Sequence, residues 1–288
     1  MLYRNYGKNK LKISAVGLGG ISIRGLGFKE SSRIINVAID KGVNYFDVAP
    51  GYGDAQELMG KGLENKRNNI FLACKSKFRT AKESKKDLEE SLRTLKTDYF
   101  DLYQLHGMKT KEDYEIVTGK EGALRTLEDA KQQGKINHIG FSCHSIEVAK
   151  LLINNHKFDS ILIPVNWKLI LSHNFGEEII DNCKRLGVSI LALKVMADRL
   201  WKNKEERESS YKNCWYKPLS ETKLINLAVK FALSQDITSF LPPGDPDLFL
   251  KGVEAVESYS EINEEEIEIL KNHSKLSNSI GSREEIFI

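Results

Sequence analysis

Four ionisable side chains stand near the same end of successive apolar runs: Asp47 and Tyr52 in FDVAPGYGDA, Lys75 in IFLACKS and His106 in YFDLYQLHG. A carboxylate, a phenol, an ammonium and an imidazole gathered at one place can hold, donate and accept protons around a reacting group. Taken singly each is weak, because a strand-end lysine is commonly solvated and a lone histidine is commonly structural. Tyr52 is the more telling, since a turn crowded with Gly and Pro holds its ring close to Asp47. Four such groups on one rim point to positioned acid/base chemistry.

The elements that position them follow from hydrophobic period. Short β-rich runs at 14–18, 45–49, 70–76, 100–106, 138–143, 160–166, 189–195 and 237–241 alternate with amphipathic stretches of helical length, from 31–41 to 246–259. Near-continuous apolar strands need cover on both faces, so the pattern predicts an α/β chain folded as a (β/α)8 TIM barrel, one domain over residues 1–288. In such a barrel chemistry is assembled where strands run out into βα loops, and Asp47, Tyr52, Lys75 and His106 fall there. A turn at 7–9 predicts a short N-terminal hairpin, and 263–276 an extra acidic C-terminal helix. The longest interruption, 196–221, carries Trp201, Tyr211, Trp215 and Tyr216 among charged residues and has no obvious structure of its own.

With 43 Lys and Arg against 40 Asp and Glu, the net charge of +3 is interspersed along 288 residues, which argues against a nucleic-acid partner. No apolar run approaches a membrane span and the start has no signal-peptide pattern, so the chain reads as cytoplasmic, without a membrane partner. Cys74, Cys143, Cys183 and Cys214 are widely spaced, which fits reduced thiols and no metal site.

From LKISAVGLGG through GVNYFDVAPGYG, FLACKS, LEESLRTLKTDYFDLYQLH, GKINHIGFS and FDSILIPVN to FLPPG, the sequence resembles the aldo-keto reductase superfamily over nearly its whole length. The resemblance implies that Asp47, Tyr52, Lys75 and His106 form a catalytic tetrad for hydride transfer between a nicotinamide and a carbonyl or alcohol. Carbonyl reduction builds negative charge on oxygen, which needs a positioned acid and donors aimed at it. Tyr52 would supply the proton, Lys75 would stabilise the phenolate, Asp47 would hold Lys75, and His106 would orient the carbonyl.

The same resemblance implies a cofactor surface formed by Ser142, Leu162, Leu193, Lys194, Gly244, Asp245 and Lys251. Ser142 matches a serine that holds the carboxamide; Leu162 stands where Gln is common, Leu193 where an aromatic ring is common, and Cys143 where many members have Asn. Asn166 matches a frequent family Asn of structural character. The last segment departs further, since Asp245, Pro246 and Asp247 follow Gly244 and Lys251 is the only close cation. NADP(H) is the family default, and the acidic segment leaves NAD(H) as an alternative. Trp167, Trp201 and Trp215 would wall a small-molecule carbonyl or sugar, the loop closing as a clamp or standing as a static wall. Two other classes stay open: a nicotinamide-bound sensor with little turnover, and a metal-dependent hydrolase using His106, His144 and His173, which lacks paired-ligand spacing. Oligomeric state is unspecified.

Overall fold

Inward and outward side chains alternate along the central strands, and this period of two lets one chain close a sheet around a packed interior while helices cover the outside. The computed structural model describes residues 1–8, 11–173 and 176–276. A hairpin of β1 (Tyr3–Tyr6) and β2 (Leu11–Ser14) comes first. Parallel strands follow: β3 (Leu18–Gly19), β4 (Tyr45–Asp47), β5 (Phe71–Ser76), β6 (Phe100–Met108), β7 (Ile136–Cys143), β8 (Ser160–Pro164) and β9 (Ser189–Leu193). A small antiparallel pair, β10 (Ala197–Arg199) and β11 (Lys217–Pro218), precedes the last parallel strand, β12 (Ser239–Phe240). The sheet runs from β3 to β9 in chain order and then to β12. It is drawn closed where Val16 bridges Phe240, with Phe240 N donating to Ala15 O at 3.0 Å and Gly17 N to Phe240 O at 2.9 Å. This is the (β/α)8 architecture.

The helices are α1 (Gly27–Asp40), α2 (Ala55–Gly62), α3 (Ala81–Thr94), α4 (Lys111–Thr118), α5 (Ala123–Gln132), α6 (Ile146–Asn155), α7 (Trp167–His173), α8 (Glu177–Leu186), α9 (Lys204–Glu208), α10 (Thr222–Leu233), α11 (Pro246–Glu257) and α12 (Glu264–Leu276). Their apolar faces join the outward residues of the strands, such as Phe46, Leu72 and Cys74, in a large outer core. A second core fills the barrel: Tyr6, Ile13, Tyr45, Phe71, Leu102 and Leu191 are all buried there. Tyr6 and Ile13 come from the hairpin, which therefore plugs the end where the strands begin. The Tyr6 hydroxyl donates to Ser160 Oγ at 2.9 Å, and its ring lies 4.7 Å from that of Phe71. Gly17 makes room for this packing, because a Cβ there would come within 2.4 Å of the Tyr45 ring.

The structure moves several expected elements. The run at 14–18 divides: Ser14 ends the hairpin, and the barrel strand begins only at Leu18, since the backbone of Ala15 and Gly17 is engaged with Phe240. Asn9 of the expected 7–9 turn lies outside the described residues, and Gly7 takes a φ of +64°. Outside the 196–221 interruption, two helices had no reading in the periodicity. Helix α4 starts on a capping box of Thr110 and Asp113, and α7 on Asn166, whose Oδ1 accepts from the backbone of Lys168 and Leu169 at 3.0 and 3.3 Å. The interruption at 196–221 is also ordered, as the β10–β11 pair with α9 between its strands.

The barrel plug generates a prediction. Tyr6→Phe keeps the ring but deletes the buried bond to Ser160, and is expected to lower unfolding free energy by about 1–3 kcal/mol. Urea denaturation should show a lower midpoint with an unchanged slope.

Candidate active site

The site is built on three neighbouring strands. Asp47 ends β4 opposite Ala73 of β5, and Lys75, two residues on, pairs in register with Gln104 of β6. Period two turns all three side chains inward. Lys75 Nζ donates to Asp47 Oδ1, and each side chain is only 1% exposed. The other carboxylate oxygen accepts from Gln104 Nε2 at 3.2 Å and from the Tyr45 hydroxyl at 3.3 Å. Burial pulls the Lys75 pKa down, but the charge of Asp47 and the interaction with Tyr52 outweigh it and the net shift is upward. Lys75 is therefore a buried ammonium.

Tyr52 is carried on two successive turns. Its N–H donates to Ala49 O at 3.1 Å across Pro50 and Gly51, and its carbonyl accepts from Ala55 N at 3.3 Å. Gly53, at φ +63°, supplies the conformation the second turn needs. The half-buried ring lies with its centroid 5.3 Å from Lys75 Nζ and 6.1 Å from the His106 ring, which meets it edge-on. Burial raises the phenol pKa, Lys75 opposes that rise, and the net shift is upward. The phenol keeps its proton at neutral pH.

His106 sits where β6 departs from register with β7, between Leu105 and Met108. Arg79 clamps this irregular stretch: it donates to His106 O at 2.9 Å and Gly107 O at 3.0 Å while its Nε bonds Asp113 at 2.7 Å. Burial, reinforced by the charges of Lys75, His144, Arg79 and Lys77, lowers the His106 pKa to about 3. The ring is neutral and keeps one N–H to donate.

All four groups line one cavity of about 450 Å³ at the carboxyl ends of the strands. Ser142, Leu162, Leu193, Lys194, Gly244 and Trp215 line it too. Ser142 Oγ accepts from Gly107 N at 2.6 Å, tying β7 to the loop after His106. Lys194 adopts a left-handed φ of +62°, its carbonyl held by Asn166 Nδ2 at 2.8 Å, and burial together with the charge of Lys109 lowers its pKa to about 8. Trp215 is 55% exposed and its ring lies 6.2 Å from Tyr52.

Other expected contacts lie elsewhere. Trp167 is fully buried outside the cavity, because Asn166 starts a helix at once after β8 and turns the indole into the outer core, 5.8 Å from the His273 ring. Trp201 is not among the residues lining the cavity; it packs half-buried against the same core, its Nε1 donating to Cys214 O at 3.0 Å, and so braces the loop. Asp245 is the N-cap of α11, with Oδ1 accepting from Asp247 N and Leu248 N at 3.0 and 3.1 Å. Lys251 donates to Ser220 O at 3.0 Å. All four cysteines are free thiols. Of the histidines weighed for a metal, His106 and His144 line the cavity, and the His173 side chain lies outside the described residues.

Two neighbours of the site, Gln104 and Arg79, escaped the sequence reading, and a third, His144, was weighed there only as a metal ligand. Gln104 was legible in principle, since it stands two residues before His106 and must face the same way. His144 follows the strand end at Ser142 and lines the cavity, with its pKa lowered to about 4 by burial and by Lys194 and Lys109. Arg79 gives no local signal, because its carbonyl partners meet it only through the fold.

The model of the aldo/keto reductase family matches residues 15–274. An uncharacterized oxidoreductase of Bacillus subtilis, YqkF, is 28% identical, the match covering 96% of this chain and 97% of the relative. The aldo-keto reductase YhdN of the same organism is 31% identical over 51% of this chain and 48% of its own length. Among solved structures, the aldo-keto reductase AKR11C1 from Bacillus halodurans superposes with a TM-score of 0.74 at 24% identity, covering 99% of both chains.

The two neutral histidines predict a pH response. In the unfolded chain both titrate near the ordinary value of about 6.5, whereas in the fold they stay neutral to about 4 and about 3. The unfolded state binds more protons in that window, so stability is expected to fall as pH drops from about 6.5. His144→Gln should flatten the decline of Tm between about pH 6.5 and 4.5, measured by thermal unfolding.

Proposed function

This chain belongs to the aldo/keto reductase family, oxidoreductases that act on carbonyls, and we propose that it interconverts an aldehyde, ketone or sugar carbonyl and the alcohol with a nicotinamide cofactor, Tyr52 serving as general acid and base. One observation carries this reading. A buried ammonium, fixed by Asp47, faces a half-buried phenol, and a neutral imidazole stands at the edge of the same ring.

The lining also suits the cofactor. Leu162 and Leu193 offer apolar faces for a planar ring, the Ser142 hydroxyl still has its proton to give to a carboxamide, and Lys194 supplies a cation for phosphate. When bound, the nicotinamide supplies the hydride that reaches the carbonyl carbon. Tyr52 Oη gives its proton to the carbonyl oxygen as negative charge builds there, and His106 donates a hydrogen bond that orients that oxygen. Lys75 stabilises the phenolate left behind, and Asp47, restrained by Gln104 and Tyr45, keeps Lys75 charged and in place. In the oxidative direction the phenolate takes the alcohol proton.

Cofactor choice turns on the start of α11. A ribose phosphate asks for Arg or Lys near a helix N-terminus, but Asp245 and Asp247 occupy that first turn and Lys251 is drawn to Ser220. We infer a weakened preference for NADP(H), with NAD(H) accepted.

Two measurements check these assignments. Tyr52→Phe is expected to leave less than about a tenth of wild-type turnover, because positioned acid/base catalysis contributes at least roughly 10², while cofactor affinity by fluorescence titration changes little. Retention of more than that in steady-state assays would remove Tyr52 from its role. For cofactor choice, kcat/KM with NADPH and NADH should differ by less than about 100-fold, roughly 2.7 kcal/mol.

A further inference from the structure

The cavity holds more positive charge than hydride transfer uses. Asp47 is the one carboxylate among its described lining residues, and its oxygens are taken by Lys75, Gln104 and Tyr45. Lys77, Lys109 and Lys194 also line it, beside the neutral rings of His106 and His144. Of the nearby acids, Asp113 is engaged by Arg79 at 2.7 Å and by the backbone of Lys109 and Thr110, while Asp87 interacts with Ser76, Lys77 and Glu90.

These cations fall in two sectors. Lys194 follows β9, near Gly244 after β12, where barrels of this kind commonly bind phosphates, so it goes with the cofactor. Lys77 follows β5 and Lys109 follows β6, on the loops adjoining Tyr52 and His106. Lys77 and Lys109 therefore share the lining with Tyr52 and His106, within the cavity a carbonyl meeting those two groups would occupy. Here also His144 presents a buried Nδ1 with no partner among the described residues.

Resting on the oxidoreductase reading, we propose that Lys77 and Lys109 bind an anionic group, a carboxylate or a phosphate, on the carbonyl substrate. Like charges held together in a cleft are costly until an anion joins them, and they raise its local concentration and rate of arrival. The field of Lys109 reaches His144 and Lys194, and that of Lys77 reaches His106, so positive charge is felt across the mouth. Both lysines are exposed at the mouth, so they can close on a ligand without moving the core.

Matched aldehydes test the idea: 4-carboxybenzaldehyde against methyl 4-formylbenzoate, and glyceraldehyde 3-phosphate against glyceraldehyde, followed by nicotinamide absorbance. At least one anionic compound is expected to exceed its neutral partner by tenfold or more in kcat/KM, about 1.4 kcal/mol, mainly through KM. Which pair shows it identifies carboxylate or phosphate. The double variant Lys77→Gln, Lys109→Gln should cut that ratio at least fivefold, whereas Lys77→Arg, Lys109→Arg should retain most of it. Equal use of charged and neutral members, or a ratio that survives the double Gln variant, overturns this inference and leaves the oxidoreductase reading standing. No nicotinamide oxidation with any of the four counts against the oxidoreductase reading, and this inference falls with it.

Discussion

The buried pair of Lys75 and Asp47 is the interaction on which the rest of the molecule depends. Removing two charges from water costs several kcal/mol per ion, and their attraction offsets this only when the remaining hydrogen-bonding capacity is also met. Here Gln104 and Tyr45 satisfy the second carboxylate oxygen. Each partner comes from a different position on β4, β5 or β6, so the pair is affordable in one register alone: Asp47 opposite Ala73 and Lys75 opposite Gln104. A slip of one residue would turn a charge into the outer core. The apolar plug of Tyr6, Ile13 and Phe71 beneath holds the strands that set this register.

Once the ammonium is fixed, its field organises the neighbours. It lowers the cost of a phenolate at Tyr52 and helps keep His106 uncharged, so one positive group acts on both the phenol and the imidazole. The histidine needs mechanical support as well, because it lies at a register shift where the ladder alone does not hold the chain. Arg79 provides it, spending its donors on the carbonyls of Lys77, His106 and Gly107. Arg79 is thus a positioning residue without contact to the proposed reacting atoms.

The aromatic segment between β9 and α10 follows another logic. Glu206 accepts from Arg199 and from Lys217, at 3.1 Å for the latter, and so joins the two strands of the small hairpin across α9. Asn213 Nδ2 reaches Arg24 O at 3.2 Å, and a Cβ on Gly244 would come within 2.8 Å of Asn213 O. The segment is therefore laid across the mouth and fastened to loops on the far side. Trp201 and Tyr211 anchor it to the core, and Trp215 is left facing Tyr52. This division of aromatic roles makes the segment a folded wall of the cavity.

Hydrophobic period and residue type were enough to read the (β/α)8 order, the hairpin, and the four ionisable groups at strand ends, because alternation and chain order fix which end of a strand a residue occupies. Gln104 belonged to the same pattern and was legible for the same reason. The family resemblance supplied the expected roles for Tyr52, Lys75, Asp47 and His106; period alone does not name a reaction. Tertiary structure decided what depends on long-range meeting of side chains. Trp167 and Trp201 look alike in sequence to Trp215, yet only Trp215 enters the cavity, since helix capping at Asn166 and the bond to Cys214 direct the other two indoles elsewhere. That Asp245 caps its own helix was one of two readings its sequence position allowed, and the fold shows the cap. Arg79 and the gathering of Lys77, Lys109 and His144 at one mouth were invisible for the same physical reason: residues far apart in the chain share a field only after the barrel has closed.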